Sequence, residues 1–217
     1  MVIAIDGPAG SGKSTVAKEL ATKIKYSYVD SGAIYRAVAL QALREKIDLN
    51  DESELSRMFH DMDIIQNFED GKVRIFNQGE EITEKIRSPE VNKIVSIVAA
   101  LPSIRYHVTA ILHVWGSGGT IVIEGRDIGT YVFPDADFKF YIDASTKVRA
   151  ERRFKELQTT GYTGTVDDVE TDIIRRDHLD KNRELAPLKI AKDAEVIDTS
   201  AMTIEQVVDQ ICKRIGK

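Results

Sequence analysis

The chain has 217 residues, enough for one well-buried α/β core with an insertion but too few for two large independent domains. Its 30 basic and 35 acidic residues are spread along the sequence and give a net charge of -5, which argues against a long nucleic acid as partner. A single cysteine, Cys212, excludes an internal disulfide framework and a cysteine metal site, and it predicts a reducing compartment.

The first predicted element is a strand that leads into a glycine-rich loop. Residues 7–14 read Gly-Pro-Ala-Gly-Ser-Gly-Lys-Ser and lie between an apolar run at 2–5 and a helix-like stretch. This order suits a phosphate cradle, because glycines let backbone N–H groups converge and the helix N-terminus adds its dipole. The pattern predicts that Lys13 reaches the β- and γ-phosphates of a nucleoside triphosphate and that the Ser14 hydroxyl binds Mg²⁺. The predicted triphosphate-binding residues are Gly7, Pro8, Ala9, Gly10, Ser11, Gly12, Lys13, Ser14 and Thr15.

The following residues predict a βαβ unit. Apolar residues recur at helical spacing after the loop, and Tyr28-Val29 then form a short second strand that ends at Asp30. A further helix is predicted over residues 33–44.

The pattern then changes to that of an inserted segment. Residues 63–82 alternate in short runs broken by Asp70-Gly71 and Gln78-Gly79, which is typical of an antiparallel meander. Ser88-Pro89-Glu90 predicts a helix start, Pro102 ends that helix, and a second helix is predicted over 103–115.

After the insert the parallel core resumes. Further strands are predicted at residues 120–123, 138–142 and 195–197. Two basic helices, at 147–158 and 167–179, are joined by a polar segment with glycines at 161 and 164, which suits a hinge or lid. We therefore predict an α/β core of residues 1–42 and 116–217, with a lid at about 147–180, and an inserted subdomain of residues 43–115.

Carboxylates follow the predicted strands at the edge where open α/β sheets bind ligands. Glu124 ends a buried strand beside the P-loop, where a carboxylate that holds hydrated Mg²⁺ is expected, and Asp30 is the second candidate. Because Asp30 precedes Ser31-Gly32 and a helix, an N-cap role for it is equally open.

Several arginines lie near the same edge. Arg126 occupies a tight turn after a buried strand, where a flexible surface ion pair has little reason to lie. A phosphate acceptor requires bidentate planar donors, which arginine supplies, and Arg36 and Arg183 are further candidates. For Arg152 and Arg175 we expect ordinary solvated charges.

Five ordered motifs give the chain a resemblance to the bacterial-type cytidylate kinases, which are nucleoside monophosphate kinases. The motifs are residues 6–15, residues 30–36, Ser96 with Arg105, residues 124–130, and Arg176-Asp-x-x-Asp180-x-Asn-Arg183. The resemblance implies a P-loop NTPase fold with a five-stranded parallel sheet, helices on both faces, a monophosphate-binding insert that holds a small antiparallel sheet, and a helical lid. It also implies ATP, Mg²⁺ and CMP or dCMP as ligands.

The resemblance further implies a role for each matching residue. Ser31, Ser96, Arg105 and Asp127 would surround the base. Arg36, Arg126 and Arg183 would bind the acceptor phosphate, and Arg176 with Asp180 would bind the ribose. Lys13, Arg126 and Arg183 would act in catalysis. Glu124 departs from the aspartate that many relatives carry.

The chemistry of the acceptor agrees with this interpretation. Cytosine presents an amino donor at N4 and acceptors at O2 and N3, which call for a carboxylate and a guanidinium. A nucleoside monophosphate has lost most of its second phosphate proton at neutral pH, since that pKa is about 6, so no general base is required. Alignment and surrounding cations would supply the catalysis.

Three alternatives stay open from the residues alone. They are a kinase of a hydroxyl-bearing metabolite with Asp30 as base, a regulatory NTPase, and a kinase of UMP or dTMP. We expect a monomer in the cytoplasm, with no membrane segment and no nucleic acid polymer as partner.

Overall fold

The computed structural model describes residues 1–159 and 161–217 of the chain, so Thr160, which belongs to the predicted hinge, lies outside the described residues. The strands are β1 (Val2–Asp6), β2 (Ser27–Asp30), β3 (Ile64–Glu69), β4 (Lys72–Asn77), β5 (Glu80–Glu81), β6 (Ile121–Gly125), β7 (Phe138–Asp143) and β8 (Glu195–Asp198). The helices are α1 (Lys13–Ile24), α2 (Ser31–Glu45), α3 (Glu52–His60), α4 (Pro89–Val98), α5 (Pro102–Gly116), α6 (Thr146–Gln158), α7 (Val166–Asn182) and α8 (Ile204–Ile215).

Five strands form one parallel sheet in the order β2-β6-β1-β7-β8. The predicted five-stranded parallel sheet is thereby confirmed. Strands β1 and β2 are not neighbours, because β6 returns after the insert and pairs with both of them. The ends of β1, β2 and β6 are therefore adjacent, and the residues that follow them share one edge of the sheet.

Helices cover both faces of this sheet. Successive residues of β1 point to opposite faces, so Ile3 and Ile5 pack with α1 and α8 while Ala4 packs with α2 and the helices of the insert. The apolar face predicted for the last helix is buried, including Cys212. Burial of both faces explains why these strands are almost continuously apolar.

The segment between α2 and β6 contains its own antiparallel sheet, in the order β3-β4-β5. The predicted meander is confirmed, with Ile75 buried and Arg74 exposed on opposite faces of β4. Apolar residues of this segment join the same buried cluster as one face of the main sheet. The bounds 43–115 for an inserted subdomain stay a prediction.

Helix α3 has no counterpart among the elements predicted from the sequence. It begins at a regular N-cap, because the Asp51 side chain accepts a hydrogen bond from the backbone N–H of Glu54 at 2.9 Å. Leu55, Met58 and Phe59 are its buried residues and follow helical spacing. These signals are short, and a nine-residue helix of this kind is held mainly by tertiary packing.

Helices α6 and α7 pack on each other through a small apolar cluster of their own. Helix α6 is basic, but α7 has six acidic and three basic residues, so the prediction of a second basic helix is wrong. Its buried members are Ala150, Val169 and Ile173. Helix α7 begins with a capping box in which Thr165 and Asp168 satisfy each other's backbone N–H groups. The predicted pair of helices is therefore present, and its action as a lid stays a prediction.

No single helix in the described part of the chain is long and apolar enough to cross a membrane. Helices α4 and α5 pass that test only as a pair, and they are bent by 97° where they meet.

The insert is fastened to the main sheet by a side-chain amide. Strand β2 is an edge strand of the parallel sheet, so the outward-facing backbone groups of alternate residues lack a strand partner. Gln66 of β3 donates from Nε2 to the Tyr28 carbonyl at 2.6 Å, and its Oε1 accepts from the Asp30 N–H at 3.0 Å. Phe68, on the same strand, packs on the Tyr28 ring with centroids 5.3 Å apart. The Gln66 side-chain amide thus forms the two hydrogen bonds that a neighbouring strand would otherwise form with this edge of β2.

We predict that Gln66→Leu lowers the free energy of unfolding by about 1–3 kcal/mol, because it leaves the Asp30 N–H and the Tyr28 carbonyl without partners. Gln210→Leu is the matched control, since the Gln210 amide donates to the Glu195 side chain, and we expect a change within about 0.5 kcal/mol there. Urea denaturation of the two variants measures the difference. Equal losses of unfolding free energy in both variants would show that the Gln66 bridge does not stabilise the fold more than an ordinary surface contact.

Candidate active site

The loop between β1 and α1 has the backbone conformation of a phosphate cradle. Gly10 and Gly12 adopt φ values of 75° and 91°, in the left-handed region that favours glycine. Gly12 is the N-cap of α1 and makes no side-chain capping bond, so the N-terminal N–H groups of the helix have no side-chain cap there. All nine residues predicted to bind a triphosphate, 7–15, lie in this loop and the first turn of α1. Their role in triphosphate binding stays a prediction.

Lys13 is buried at the centre of the site. Its ammonium group donates to the Pro8 carbonyl at 3.2 Å and lies 4.0 Å from a carboxylate oxygen of Glu124. Burial, together with the nearby Arg126, lowers the pKa of Lys13 to about 7, although Glu124 acts in the opposite direction. The Glu124 carboxylate lies at the outer limit of an ion pair with Lys13, and bound phosphates would supply closer anionic partners.

A cleft opens at the carboxyl edge of the sheet beside Lys13. It brings together eight of the nine residues predicted for the acceptor nucleotide, together with the three predicted Mg²⁺ residues. These are Ser31, Arg36, Ser96, Arg126, Asp127, Arg176, Asp180 and Arg183 for the acceptor, and Ser14, Asp30 and Glu124 for the metal. Their individual roles stay predictions, but a single cleft contains them all.

The two candidate metal carboxylates differ in their partners. Asp30 is the N-cap of α2, where one oxygen accepts from the Ala33 N–H at 3.0 Å and the other from Arg36 at 2.7 Å. The N-cap interpretation is therefore confirmed. Glu124 accepts from the Tyr28 hydroxyl at 2.8 Å through one oxygen, which leaves its other oxygen more available.

The donor chemistry fits Mg²⁺, because a serine hydroxyl and a carboxylate are the hard oxygen ligands this ion prefers. Among the described residues, no group of three or more His, Cys, Asp or Glu could hold a metal by itself. This agrees with an ion whose remaining ligands are phosphate oxygens and water. Ser14 and Glu124 are the better pair, with Asp30 already engaged on both oxygens.

Asp127 is held between two arginines. One carboxylate oxygen accepts from Arg105 and the other accepts from Arg183 at 2.9 Å. Burial raises the pKa of Asp127, although the two guanidinium groups oppose this. Arg105 is fully buried, donates to the Ala99 carbonyl and lies over the rings of Tyr35 and Tyr131. Arg105 is not among the residues that line the cleft, but it contacts Asp127, which does. That Arg105 helps to surround the base stays a prediction.

The arginines expected at the acceptor phosphate are each paired with a carboxylate. Arg126 donates to Asp180 at 2.9 Å, and Arg36 donates to Asp30 at 2.7 Å. Arg176, expected at the ribose, has no ion pair with a carboxylate among the described residues, and its buried Nε, like that of Arg36, has no hydrogen-bond partner there. Burial, together with the neighbouring Arg126, lowers the pKa of Arg176 to about 10. The cleft lining has four guanidinium groups and four carboxylates, and Lys13 makes its net charge positive, which favours an anionic ligand.

The structure corrects the expectation for Arg152 and adds Tyr35 to the residues of the cleft. Arg152 is not a solvated charge, because it donates to the Ser11 carbonyl at 3.3 Å and to the Thr199 carbonyl at 2.7 Å. Arg175 is exposed and pairs with Asp172, as expected. Tyr35 lines the cleft with a buried hydroxyl that lacks a partner in the described part of the chain. Its only signal in the sequence is its place next to Arg36 in a motif.

A glycine loop between a central parallel strand and a helix, with cations and carboxylates around the adjoining cleft, defines a P-loop kinase. The structure of shikimate kinase from Bacteroides thetaiotaomicron has the same fold, with a TM-score of 0.52 over 100% of this chain and 99% of that one, at 14% identity. A family model described as cytidylate kinase matches residues 3–217. The chain belongs to the cytidylate kinase family.

Two curated relatives illustrate the match. The cytidylate kinase of Pelotomaculum thermopropionicum is 46% identical over 99% of this chain and 95% of its own length. The cytidylate kinase of Clostridioides difficile is 46% identical over 100% of this chain and 98% of its own length. The similarity therefore extends over the core, the insert and the paired helices.

We predict that Gly125→Ala destabilises the protein by about 1–3 kcal/mol, because the cleft wall has no space for a methyl group at this position. A Cβ there would lie 2.6 Å from the Ser31 Oγ and 2.8 Å from Ile128 side-chain atoms. Gly118→Ala is the control, since its nearest neighbour would be 3.8 Å away. Thermal unfolding should show a Tm lowered by roughly 2–12 °C in the first variant alone. A Gly125→Ala protein as stable as Gly118→Ala would contradict the tight packing described.

Proposed function

We propose that the protein transfers the γ-phosphoryl group of ATP to CMP or dCMP, and forms CDP or dCDP together with ADP. The observation that carries this proposal is a single cleft in which the P-loop residues Lys13 and Ser14 face a group of arginines and the paired carboxylate of Asp127. Membership in the cytidylate kinase family supports the choice of acceptor. We further propose a cytoplasmic monomer.

The reaction is an in-line displacement at the γ-phosphorus. An oxygen of the acceptor phosphate forms the new bond, the bond to the oxygen that bridges the β- and γ-phosphates breaks, and ADP leaves with that electron pair. The attacking oxygen carries no proton at neutral pH, since the second pKa of a phosphate monoester is about 6. No side chain has to remove a proton.

The state of Asp30 supports a mechanism without a general base. Burial raises its pKa, but Arg36 and other nearby cations lower it by more, and the net shift is downward. Both of its oxygens already accept hydrogen bonds. A carboxylate in this state is a poor proton acceptor, which argues against the alternative of a hydroxyl kinase with Asp30 as base.

The cations of this chain would stabilise the charge that develops during transfer. Lys13 would contact the β- and γ-phosphate oxygens, while Arg126 and Arg183 would contact the acceptor phosphate. Mg²⁺, held by Ser14 and through water by Glu124, would neutralise charge on the same triphosphate oxygens when bound. Arg183 now pairs with Asp127 and with the Ala186 carbonyl, so the acceptor phosphate has to compete for it.

Asp127 is the residue best suited to distinguish cytosine from uracil. It is a buried carboxylate that lines the cleft, and it is a suitable partner for the N4 amino group. Ser31 and Ser96 add buried hydroxyls nearby, and Arg105 orients the carboxylate from behind. Uracil would place a carbonyl oxygen opposite this acceptor, which leaves both without a donor.

A coupled assay of ADP release tests the proposed function. CMP, dCMP, UMP, AMP, GMP and dTMP are compared as acceptors at fixed ATP and Mg²⁺. The proposal requires that CMP or dCMP gives the highest kcat/KM. A preference for UMP or dTMP would show that the proposed acceptor is wrong. Activity with none of the six would refute the proposal that the protein is a nucleoside monophosphate kinase.

We predict that Lys13→Ala keeps the fold but reduces kcat by on the order of 10²-fold or more, because a preorganised cation at the transferred phosphoryl group is lost. Lys18→Ala is a control, since Lys18 lies one turn further along α1 and is only partly buried. Thermal unfolding and steady-state kinetics are measured for both. Full activity in Lys13→Ala would remove this lysine from the mechanism.

We predict that CMP exceeds UMP in kcat/KM by up to about 10⁴-fold, since a site built for a polar group rejects an analogue that leaves it unpaired. Asp127→Asn should reduce this ratio chiefly by lowering kcat/KM for CMP. The measurement is kcat/KM for both nucleotides in wild type and variant, with thermal unfolding as the check on folding. Equal losses for CMP and UMP would show that Asp127 orients the arginines and does not read the base.

A further inference from the structure

One buried ion pair touches the P-loop backbone without lining the cleft. Arg149 of α6 and Asp177 of α7 are both more than nine-tenths buried, and Nη1 of the arginine lies 2.7 Å from Oδ2 of the aspartate. The same Nη1 donates to the Ala9 carbonyl at 2.9 Å. The other oxygen of Asp177 accepts from the Ala9 N–H at 3.3 Å. The pair thus closes a ring of hydrogen bonds around a single P-loop residue.

Arg149 is itself rigidly held. Its Nε donates to the Ala144 carbonyl at 3.0 Å and its Nη2 to the Thr146 hydroxyl at 3.2 Å. Its backbone also forms the wall behind the loop, because a Cβ on Gly10 would lie 2.9 Å from the Arg149 carbonyl oxygen. The first turn of α6 therefore fixes residues 9 and 10 of the loop through both side chain and main chain.

The ring determines where the next peptide of the loop points. In a planar trans peptide the carbonyl and the following N–H point in opposite directions. Since Arg149 holds the Ala9 carbonyl, the N–H of Gly10 faces away from α6. A phosphate cradle requires such N–H groups to converge on the ligand.

We propose that Arg149 and Asp177 are positioning residues for the donor phosphates, acting through the Ala9 peptide and without touching substrate. The inference rests on the proposed use of the P-loop to bind ATP. The proposal also gives a function to Asp177. This residue belongs to the motif that begins at Arg176, but it does not line the cleft. A buried ion pair by itself is weak evidence of stabilisation, because apolar residues of similar volume often replace one without loss. The geometry at Ala9 is what distinguishes this pair.

The test measures the binding of each substrate separately. Isothermal titration calorimetry gives the Kd of AMP-PNP with Mg²⁺, and in a separate titration the Kd of CMP alone. The variants are Asp177→Asn, Arg149→Lys and the double replacement Arg149→Met with Asp177→Leu. Asp172→Asn is the control, because Asp172 pairs with Arg175 on the exposed side of the same helix. Thermal unfolding of every variant is recorded alongside.

The double replacement keeps the volume of the buried pair, so we expect it to remain folded. In all three variants the affinity for AMP-PNP should fall by roughly 10- to 100-fold, which is the range for loss of a hydrogen bond to a charged group. The affinity for CMP should change much less than that for AMP-PNP, because neither Arg149 nor Asp177 lines the cleft. Asp172→Asn should change neither Kd. Lysine at 149 retains the charge but has no guanidinium fork to bridge Ala9 and Asp177, so it should not rescue donor binding.

Two results would overturn the proposal. One is donor affinity close to wild type in the folded double variant or in Arg149→Lys. The other is an equal loss of AMP-PNP and CMP affinity, which a general loosening of the fold would produce. Neither depends on turnover, so a wild type that binds AMP-PNP but does not phosphorylate CMP would refute the proposed function and leave this test intact.

Discussion

Buried charge at the carboxyl edge of the parallel sheet has to be paired, and much of the architecture depends on this requirement. An ionised group removed from water is costly unless an opposite charge and hydrogen bonds compensate it. Strand ends supply Asp30 and Asp127, and α7 supplies Asp180. The partner of Asp30 is close in sequence, since Arg36 lies on the helix that Asp30 caps. The other partners are more distant: Arg105 comes from the insert, and Arg126 follows β6.

Two of these pairs, Arg105 with Asp127 and Arg126 with Asp180, join segments that are far apart along the chain. Asp127 is bound at once by Arg105 of the insert and by Arg183 at the end of α7, so a single carboxylate connects three regions of the fold. Removal of one partner would leave the others buried and uncompensated. The same pairing holds the side chains ready in the cleft, so that little reorganisation is needed when an anion enters. An acceptor phosphate would exchange places with carboxylates that already occupy the arginines.

The parts of this structure that could be predicted from the sequence are those with local signals. The P-loop, the parallel strands, the meander and the Asp30 cap depend on residues close to one another along the chain, and each has a distinct pattern. Helix α3 is short and its apolar face is narrow, so periodicity alone gave little indication of it. For the site, charged residues at the ends of β2 and β6 indicated one part of the cleft lining, whereas Ser96, Arg176 and Asp180 were indicated only by the resemblance.

The pairing of those residues could not be predicted, because it is set by long-range packing. Arg152 shows why: its sequence neighbourhood is that of a charged helix surface, and only the packing of α6 against the P-loop brings it to Ser11 and Thr199. Arg105 is a candidate only through the resemblance, and its contact with Asp127 depends on how the insert packs against the residues that follow β6. Gln66 has no motif at all, and its two bonds to β2 depend on the angle at which the insert returns.

That amide bridge has a further consequence for the behaviour of the protein among its own copies. An edge strand with free backbone groups is a template on which another chain can add a strand, and this leads to aggregation. With the Tyr28 carbonyl and the Asp30 N–H both occupied by Gln66, the end of β2 nearest the cleft offers no register for such an addition. The contact that attaches the insert to the sheet therefore also protects the sheet from edge-to-edge association. It does so at the end of β2, next to the cleft.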